Sequence, residues 1–419
     1  MSRLGVIADD FTGATDIASF LVENGVATVQ FNGVPSQEAP PTCRALVISL
    51  KIRACPPHQA IAQALRALAW LQRQGCHQFY YKYCSTFDST AQGNIGPVTD
   101  ALMQALRLPL TVLSPALPIN GRTVYQGYLF VMDRLLAESS MRHHPLNPMR
   151  DSYLPRLMEA QASGRCAVIP LQTLARGADA TRQALEALRQ EGYRYAVLDA
   201  TEERHLHIQG EALADLALVT GGSGLAIGLA RRWAHRAAAA HDAGYPRAGR
   251  AIVLSGSCSA MTQRQVAHYA ARAPWRQIEV DRCLTPEARR RYADELSEWA
   301  LAQPAADPAP LLSATVSVQQ LTQTHAQHGP RASQAVEALF SALSERLAAG
   351  GIVRFIVAGG ETAGAVSQAL GVSGFYIGPT IAPGVPWVNA LNRPLSLALK
   401  SGNFGAEAFF THAQSAFPV

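Results

Sequence analysis

The chain opens on a short apolar run, Leu4 to Ala8, which Asp9-Asp10-Phe11-Thr12-Gly13 breaks. Apolar positions then recur at helical spacing from Ala14 to Asn24. Gly25 stops the pattern, and Ala27 to Phe31 reads as a second strand. Similar units follow. Arg44 to Leu50 has strand character, His58 to Gln74 has a helical period closed by Gly75, and Gln78 to Tyr83 is a strand running into Cys84-Ser85-Thr86-Phe87-Asp88-Ser89. Leu110 to Leu113 predicts a strand before Ser114-Pro115-Ala116. Cys166 to Pro170 and Tyr195 to Asp199 predict two more, around a helix from Ala180 to Glu191. Leu218 to Thr220 leads through Gly221-Gly222-Ser223-Gly224 into a helix that runs to about Ala240. Such alternation predicts an α/β fold with a largely parallel sheet.

The run from Ala243 to Arg250 is a turn-rich connector, and the pattern then restarts. Ala251 to Leu254 is a strand, Ser255-Gly256-Ser257-Cys258-Ser259 a loop, and Met261 to Ala273 a helix. Gln303 to Pro310 is a Pro/Ala-rich surface loop. Ser333 to Ala349 is a helix, Val353 to Ala358 a strand, and Gly359-Gly360-Glu361-Thr362-Ala363-Gly364 opens another helix. Two α/β domains are expected, over 1–240 and 250–419, with largely parallel sheets and an interdomain cleft. No repeat of solenoid length is present.

Composition narrows the function. Of 419 residues, 48% are hydrophobic and 16% charged, enough apolar sequence for a sizeable core and too little charge for a disordered chain. The net charge of +5 is spread along the chain, without the basic patch and interleaved aromatics of a nucleic-acid binder. Anionic small molecules are the expected partners. The seven cysteines have neither metal-site nor secreted-disulfide spacing. There is no leader-type N-terminus and no apolar run of membrane-spanning length, so a cytoplasmic protein with no membrane partner is expected. A homo-oligomer is compatible with all of this. Only three of the 36 basic residues are lysines, Lys51, Lys82 and Lys400. These are places where a compact ammonium is preferred to a guanidinium, or else a chance distribution.

In open α/β sheets ligands bind at the carboxyl ends of strands, and five segments with chemistry fall there. In the first, Asp9 and Asp10 point different ways, so one can bind substrate hydroxyls while the other acts as base or holds a metal ion. Thr12 and Gly13 lie at a helix N-terminus that attracts anions; helix capping by the two aspartates is the plainer alternative. In the second, Lys51 and Arg53 flank one residue and can clamp a carboxylate or phosphate, or form a solvated pair. In the third, Lys82 through Thr90 offers a cation, hydroxyls and Asp88, an inventory suited to a polyhydroxy acid. The fourth comprises the Gly359–Gly364 and Ser255–Ser259 loops, two glycine-rich strand-to-helix turns in one domain that suggest a polyphosphate site, although neither is a Walker A loop. Gly221–Gly224 is a weaker candidate of the same type. The fifth is Lys400-Ser401-Gly402-Asn403-Phe404-Gly405, where Lys400 can neutralise phosphate charge and Asn403 can touch a nucleotide. His143-His144 and His205-Leu206-His207 lack zinc-site spacing and are read as surface or core residues. No GxSxG elbow is present, and no GxGxxG follows the first strand, which weakens a dinucleotide dehydrogenase.

The opening Gly5-Val6-Ile7-Ala8-Asp9-Asp10-Phe11-Thr12-Gly13-Ala14-Thr15-Asp16-Ile17-Ala18 resembles that of the four-carbon acid sugar kinase family, most closely its 3-oxo-tetronate kinase branch. Ser49–Arg53, Lys82–Ser89, Ser255–Ser259, Ala358–Gly364 and Lys400–Gly405 are similar to its other motifs, in order, over nearly the whole chain. The resemblance implies a sugar-acid-binding N-terminal domain, a nucleotide-binding C-terminal domain, and ATP-dependent phosphorylation of the terminal hydroxyl to 3-oxo-tetronate 4-phosphate. It implies that Ser257 or Ser259, Gly359, Gly360, Glu361, Thr362, Ala363 and Asn403 contact ATP, with Gly402 beside them. Asp9, Asp10, Lys51, Arg53, Lys82, Ser85 and Asp88 would line the sugar-acid side, with Thr12 and Gly13. Asp10 is the expected catalytic carboxylate, with Asp9 second, and Mg²⁺ is expected on the phosphates. Kinases of D-threonate, D-erythronate or another aldonate are the alternatives within this class. A non-catalytic nucleotide-dependent sugar-acid sensor is the alternative outside it.

Overall fold

The first apolar run forms β1 (Arg3–Ala8), buried from Leu4 onward. A strand covered on both faces needs continuous apolar sequence rather than alternation. β2 (Thr28–Asn32), β3 (Ala45–Ser49), β4 (Cys76–Lys82) and β5 (Thr111–Ser114) follow. Next come the short β6 (Arg122–Tyr125), β7 (Tyr128–Val131) and β8 (Arg134–Leu135), then β9 (Cys166–Ile169), β10 (Tyr195–Leu198) and β11 (Leu218–Gly221). The structure is a computed structural model; it describes residues 3–36, 38–40, 42–144, 147–234, 244–305 and 308–417. The chain divides into two compact units, Met1–Ala240 and His241–Val419.

In the first unit the strands lie in the order β2-β3-β1-β4-β11-β5-β10-β9, and each of these neighbouring pairs is parallel. Parallel neighbours need crossovers, which helices such as Phe11–Glu23, Pro57–Arg73 and Ile95–Leu106 supply. The connection leaving β1 goes to the β2 side of the sheet, and that leaving β4 goes to the β5 side. The sheet therefore changes direction between β1 and β4, where the ends of the strands open a crevice. Register sharpens this: Ala8 pairs with Ser49 on one side and Lys82 on the other, and Lys82 pairs with Gly221. The four loops after β3, β1, β4 and β11 thus start side by side. β6, β7 and β8 form a separate antiparallel sheet.

The second unit contains β12 (Arg250–Ser255), β13 (Trp275–Gln277), β14 (Leu311–Ser313), β15 (Ile352–Ala358), β16 (Gly374–Ala382), β17 (Val385–Ala390) and β18 (Ser396–Lys400). Their order is β13-β14-β12-β15-β18-β17-β16. The pairs from β13 to β18 are parallel, and the last two are antiparallel. Val253, Tyr269, Leu311, Ile356, Trp387 and Phe410 share one core cluster. Fully burying side chains of this size stabilises by about 1.5–3 kcal/mol each.

The expected α/β class with largely parallel sheets is borne out. The antiparallel β16–β17 hairpin departs from the pattern: Ala382 pairs with Val385 across Pro383-Gly384, and Gly384 takes the positive φ (77°) that a tight turn needs. The first helix starts at Phe11 rather than Ala14, because Asp10 caps it three residues earlier than the apolar spacing begins. The helix after Gly224 is described over Leu225–Trp233; its expected continuation over 235–240 lies outside the described residues, as do Ala243 of the connector and 306–307 of the Pro/Ala-rich loop.

Candidate functional site

Asp10 leaves β1 in extended conformation and accepts hydrogen bonds from the Gly13 backbone N–H to Oδ1 (2.9 Å) and from Thr12 Oγ1 to Oδ2 (3.1 Å). It is the helix cap, and it is more than that. Arg53 reaches over from the loop after β3, its Nε donating to Asp9 Oδ2 (2.9 Å) and its Nη2 to Asp9 Oδ1 (2.8 Å). The same Nη2 lies 3.0 Å from Asp10 Oδ1. One guanidinium thus holds both carboxylates, and its planar fork suits the bidentate pairing. Burial outweighs Arg53 at Asp9 and raises its pKa. Burial also works on Asp10, but Arg53, Lys82 and the bonds from Thr12 and Gly13 together hold it below the ordinary carboxylate range. The Asp10 side chain keeps 23% of its surface exposed, against 3% for Asp9.

Lys82, the last residue of β4, is buried. A Cβ at Gly13 would stand 2.6 Å from its Nζ and 2.2 Å from Asp10 Oδ1, so glycine lets the ammonium approach the helix start. One turn further on, Asp16 Oδ2 accepts from Ser223 Oγ (2.6 Å), in the glycine-rich turn after β11. Burial pushes Asp16 up to about 6 against the pull of Lys82 and Ser223. After β4, Asp88 is buried with Oδ1 lacking a hydrogen bond, and His144 Nδ1 lies 3.8 Å from it. Ser85 is half-buried. Phe87 adopts φ 46°, a conformation costly for a bulky residue. It bends the loop between Ser85 and Asp88.

Asp9, Asp10, Thr12, Gly13, Arg53 and Lys82 are therefore brought together, with Ser85 and Asp88 in the adjoining loop. Lys51 is exposed, whereas Arg53 turns to the aspartates. Asp16, Ser223, Arg122 and His144 belong to this region; Ser223 lies in the weaker Gly221–Gly224 candidate and His144 was read as a surface or core residue, whereas Asp16 and Arg122 were given no role from the sequence. Asp16 had a usable signal, since it follows Gly13 by three residues and so shares its helix face.

In the second unit β12, β15 and β18 are adjacent, with Ser255, Ala358 and Lys400 in register. Their three loops meet. Ser259 caps helix Ala260–Ala270 and donates to Gly402 O (2.6 Å), as does Thr262 Oγ1 (2.7 Å). A Cβ at Gly402 would lie 2.7 Å from Ser257 Oγ. Gly359 has φ 122°, which favours glycine. Helix Gly360–Ala369 begins without a side-chain cap, which leaves its first backbone N–H groups to attract an anion. Thr362 and Ala363 are buried, whereas Glu361 and Asn403 are exposed.

Lys400 points inward instead of toward a ligand. It has no exposed surface, and Nζ donates to Thr262 Oγ1 (3.1 Å), Ser401 O (3.0 Å) and Gly402 O (2.9 Å). It braces the Gly402 loop. Burial pushes its pKa down from 10.5 to about 7. Between these values the folded chain binds fewer protons than the unfolded one, so this lysine makes stability rise with pH across that window. In denaturant melts from pH 7 to 10, Lys400→Met should flatten that rise. An unchanged slope would contradict the assignment.

Among the described residues, no three His, Cys, Asp or Glu side chains are grouped to hold a metal ion, and no helix is long and apolar enough to cross a membrane.

Residues 4–229 match the sugar-binding N-terminal domain model and residues 252–410 the nucleotide-binding C-terminal domain model. A 3-oxo-tetronate kinase of Salmonella typhimurium is 67% identical, covering 100% of both chains. One of Escherichia coli is 66% identical over 91% of this chain and 99% of its own. A crystal structure from Salmonella typhimurium LT2 superposes with a TM-score of 0.90 at 66% identity, covering 99% of this chain and 100% of the other. A Haemophilus influenzae crystal structure superposes with a TM-score of 0.79 at 50% identity, again covering 99% and 100%. With both domain models matched and full-length relatives this similar, the chain belongs to the four-carbon acid sugar kinase family.

Proposed function

We propose that the first unit binds a four-carbon sugar acid, that the second binds ATP, and that the protein transfers the γ-phosphoryl group to the C4 hydroxyl of 3-oxo-tetronate. The product is 3-oxo-tetronate 4-phosphate. The observation that carries this is the Asp9–Asp10 pair clamped by Arg53 beside Lys82, at the point where the parallel sheet changes direction. A sugar acid needs acceptors for its hydroxyls and cations for its carboxylate, and both are present there.

Asp10 is the catalytic carboxylate. It is held ionised and stays partly exposed, so it can accept a hydrogen bond from the attacking C4 hydroxyl. The new O–P bond forms as the bond from Pγ to the β-phosphate oxygen breaks, and the hydroxyl proton passes to Asp10 and then to solvent. Asp9 fixes Arg53, while Lys82, Ser85 and Asp88 hold the rest of the acid. In the second unit the backbone N–H groups of Gly359 to Ala363, a Ser257 or Ser259 hydroxyl, and the Gly402–Asn403 turn hold the phosphates and nucleoside. Positioning and charge neutralisation supply most of the acceleration in such a reaction.

Mg²⁺ binds with one or two carboxylates plus phosphate oxygens and water, which fits a chain whose described residues form no all-protein cage. Glu361 is the exposed carboxylate at the phosphate loops, and the ion would neutralise phosphate charge there. An ATP-consuming enzyme of this kind belongs in the cytoplasm.

A coupled ADP-release assay with ATP, Mg²⁺ and a panel of four-carbon acids tests this. Turnover is expected to be fastest with 3-oxo-tetronate and slower with D-threonate and D-erythronate. Binding of ATP and acid without ADP release would replace the kinase with a sensor.

A further inference from the structure

We infer that Asp16 and Arg122 form the inner end of the sugar-acid site, Arg122 joining Lys82 in receiving the carboxylate and Asp16 taking the C2 hydroxyl beside it. This rests on the kinase reading above and adds to it the residues that select a 2-hydroxy acid. Helix Phe11–Glu23 is buried at every position from Thr12 to Val22, so an aspartate in its second turn needs a reason to be there. Ser223 satisfies only Oδ2. Oδ1 is buried and has no hydrogen-bond partner, on a side chain 5% exposed. Arg122, on β6, donates Nη1 to Asn120 O, yet its Nε is also buried without a partner. The two residues lie within electrostatic reach of each other, and Lys82 and Asp10 act on Asp16 as well.

An acceptor lacking a donor and a donor lacking an acceptor, both buried in one region, are satisfied together by a molecule with a hydroxyl next to a carboxylate. The orientation follows from exposure. Asp10 is 23% exposed and can meet a hydroxyl that a triphosphate must reach, whereas Asp16 is enclosed and suits a hydroxyl that does not react.

The test is calorimetric titration of the full chain at pH 8, without nucleotide. The two ligands are 3-oxo-tetronate and 4-hydroxy-3-oxobutanoate, which lacks only the C2 hydroxyl. The wild type should favour the first by at least about tenfold, the scale of one hydrogen bond to a charged group. Asp16→Ala should remove most of that preference, weakening 3-oxo-tetronate about tenfold or more and the deoxy acid less than threefold. Arg122→Gln should weaken both acids alike. Equal loss of both ligands in Asp16→Ala, or no loss of either, would overturn the assignment. Should Asp16→Ala fail to fold, Asp16→Leu, close to aspartate in volume and without a hydrogen-bonding group, is titrated instead, and the same collapse of preference is required of it. ADP release by the wild type is scored separately. Its failure would remove the kinase reading, while the binding preferences would still decide the roles of Asp16 and Arg122.

Discussion

Asp10→Asn is expected to lower turnover of 3-oxo-tetronate by about 10²- to 10⁴-fold, the range for losing a positioned acid–base group, with ATP affinity changed less than about twofold. The substitution separates two roles that coincide in this residue. Asparagine caps helices as well as aspartate does, so the bond from Gly13 N can be kept on the amide oxygen, with Thr12 Oγ1 accepting from the amide nitrogen in place of its present donation, and the fold should survive. What disappears is the negative charge that faces Arg53 and Lys82. Were Asp10 only a cap, the variant would turn over at nearly the wild-type rate. Steady-state kinetics with a nucleotide-binding isotherm decides between the two.

Arg53→Met should destabilise the protein by about 3 kcal/mol at neutral pH, the lower end of the range for breaking a buried ion pair, because the arginine side chain is 23% exposed. It should also abolish detectable turnover. The stability loss has a definite pH dependence. Asp9 already has a raised pKa with Arg53 in place, and losing the guanidinium raises it further. A carboxyl whose folded pKa exceeds its unfolded value binds extra protons in the folded state, so stability falls as pH rises between the two. The deficit of Arg53→Met relative to wild type should therefore be larger at pH 8 than at pH 5 in urea titrations. A small deficit, equal at both values, would mean that the pair contributes little.

The parallel architecture was legible because buried parallel strands such as Leu4–Ala8 and the Phe355–Ala358 end of β15 are apolar runs ending in polar or glycine-rich loops. The strand-end motifs followed from the same feature, since chemistry in such sheets collects where the apolar run stops. Other parts left weaker marks. β6 to β8 are two to four residues long, too short for a period to emerge, and Arg122 was hidden with them. The hairpin at Pro383-Gly384 and the helix Pro286–Ala302, capped by Thr285 with proline at its first position, did carry recognisable signals. Asp16 was obscured because a lone aspartate at a helical position normally faces solvent. Its spacing from Gly13 is the one sequence hint, and the packing of Ser223 and Lys82 against that face bears it out. Lys400 illustrates the reverse. A scarce lysine beside glycines suggested phosphate, yet its three hydrogen bonds all go to the turn itself and to Thr262.

Co-crystallisation with 3-oxo-tetronate and a non-hydrolysable ATP analogue tests the central claim most directly. The C4 hydroxyl should lie within hydrogen-bond distance of Asp10, with the acid between Arg53 and Lys82 and the triphosphate against the Gly359–Ala363 backbone. Density for the sugar acid anywhere else, with the aspartate–arginine clamp touching only solvent, would contradict it.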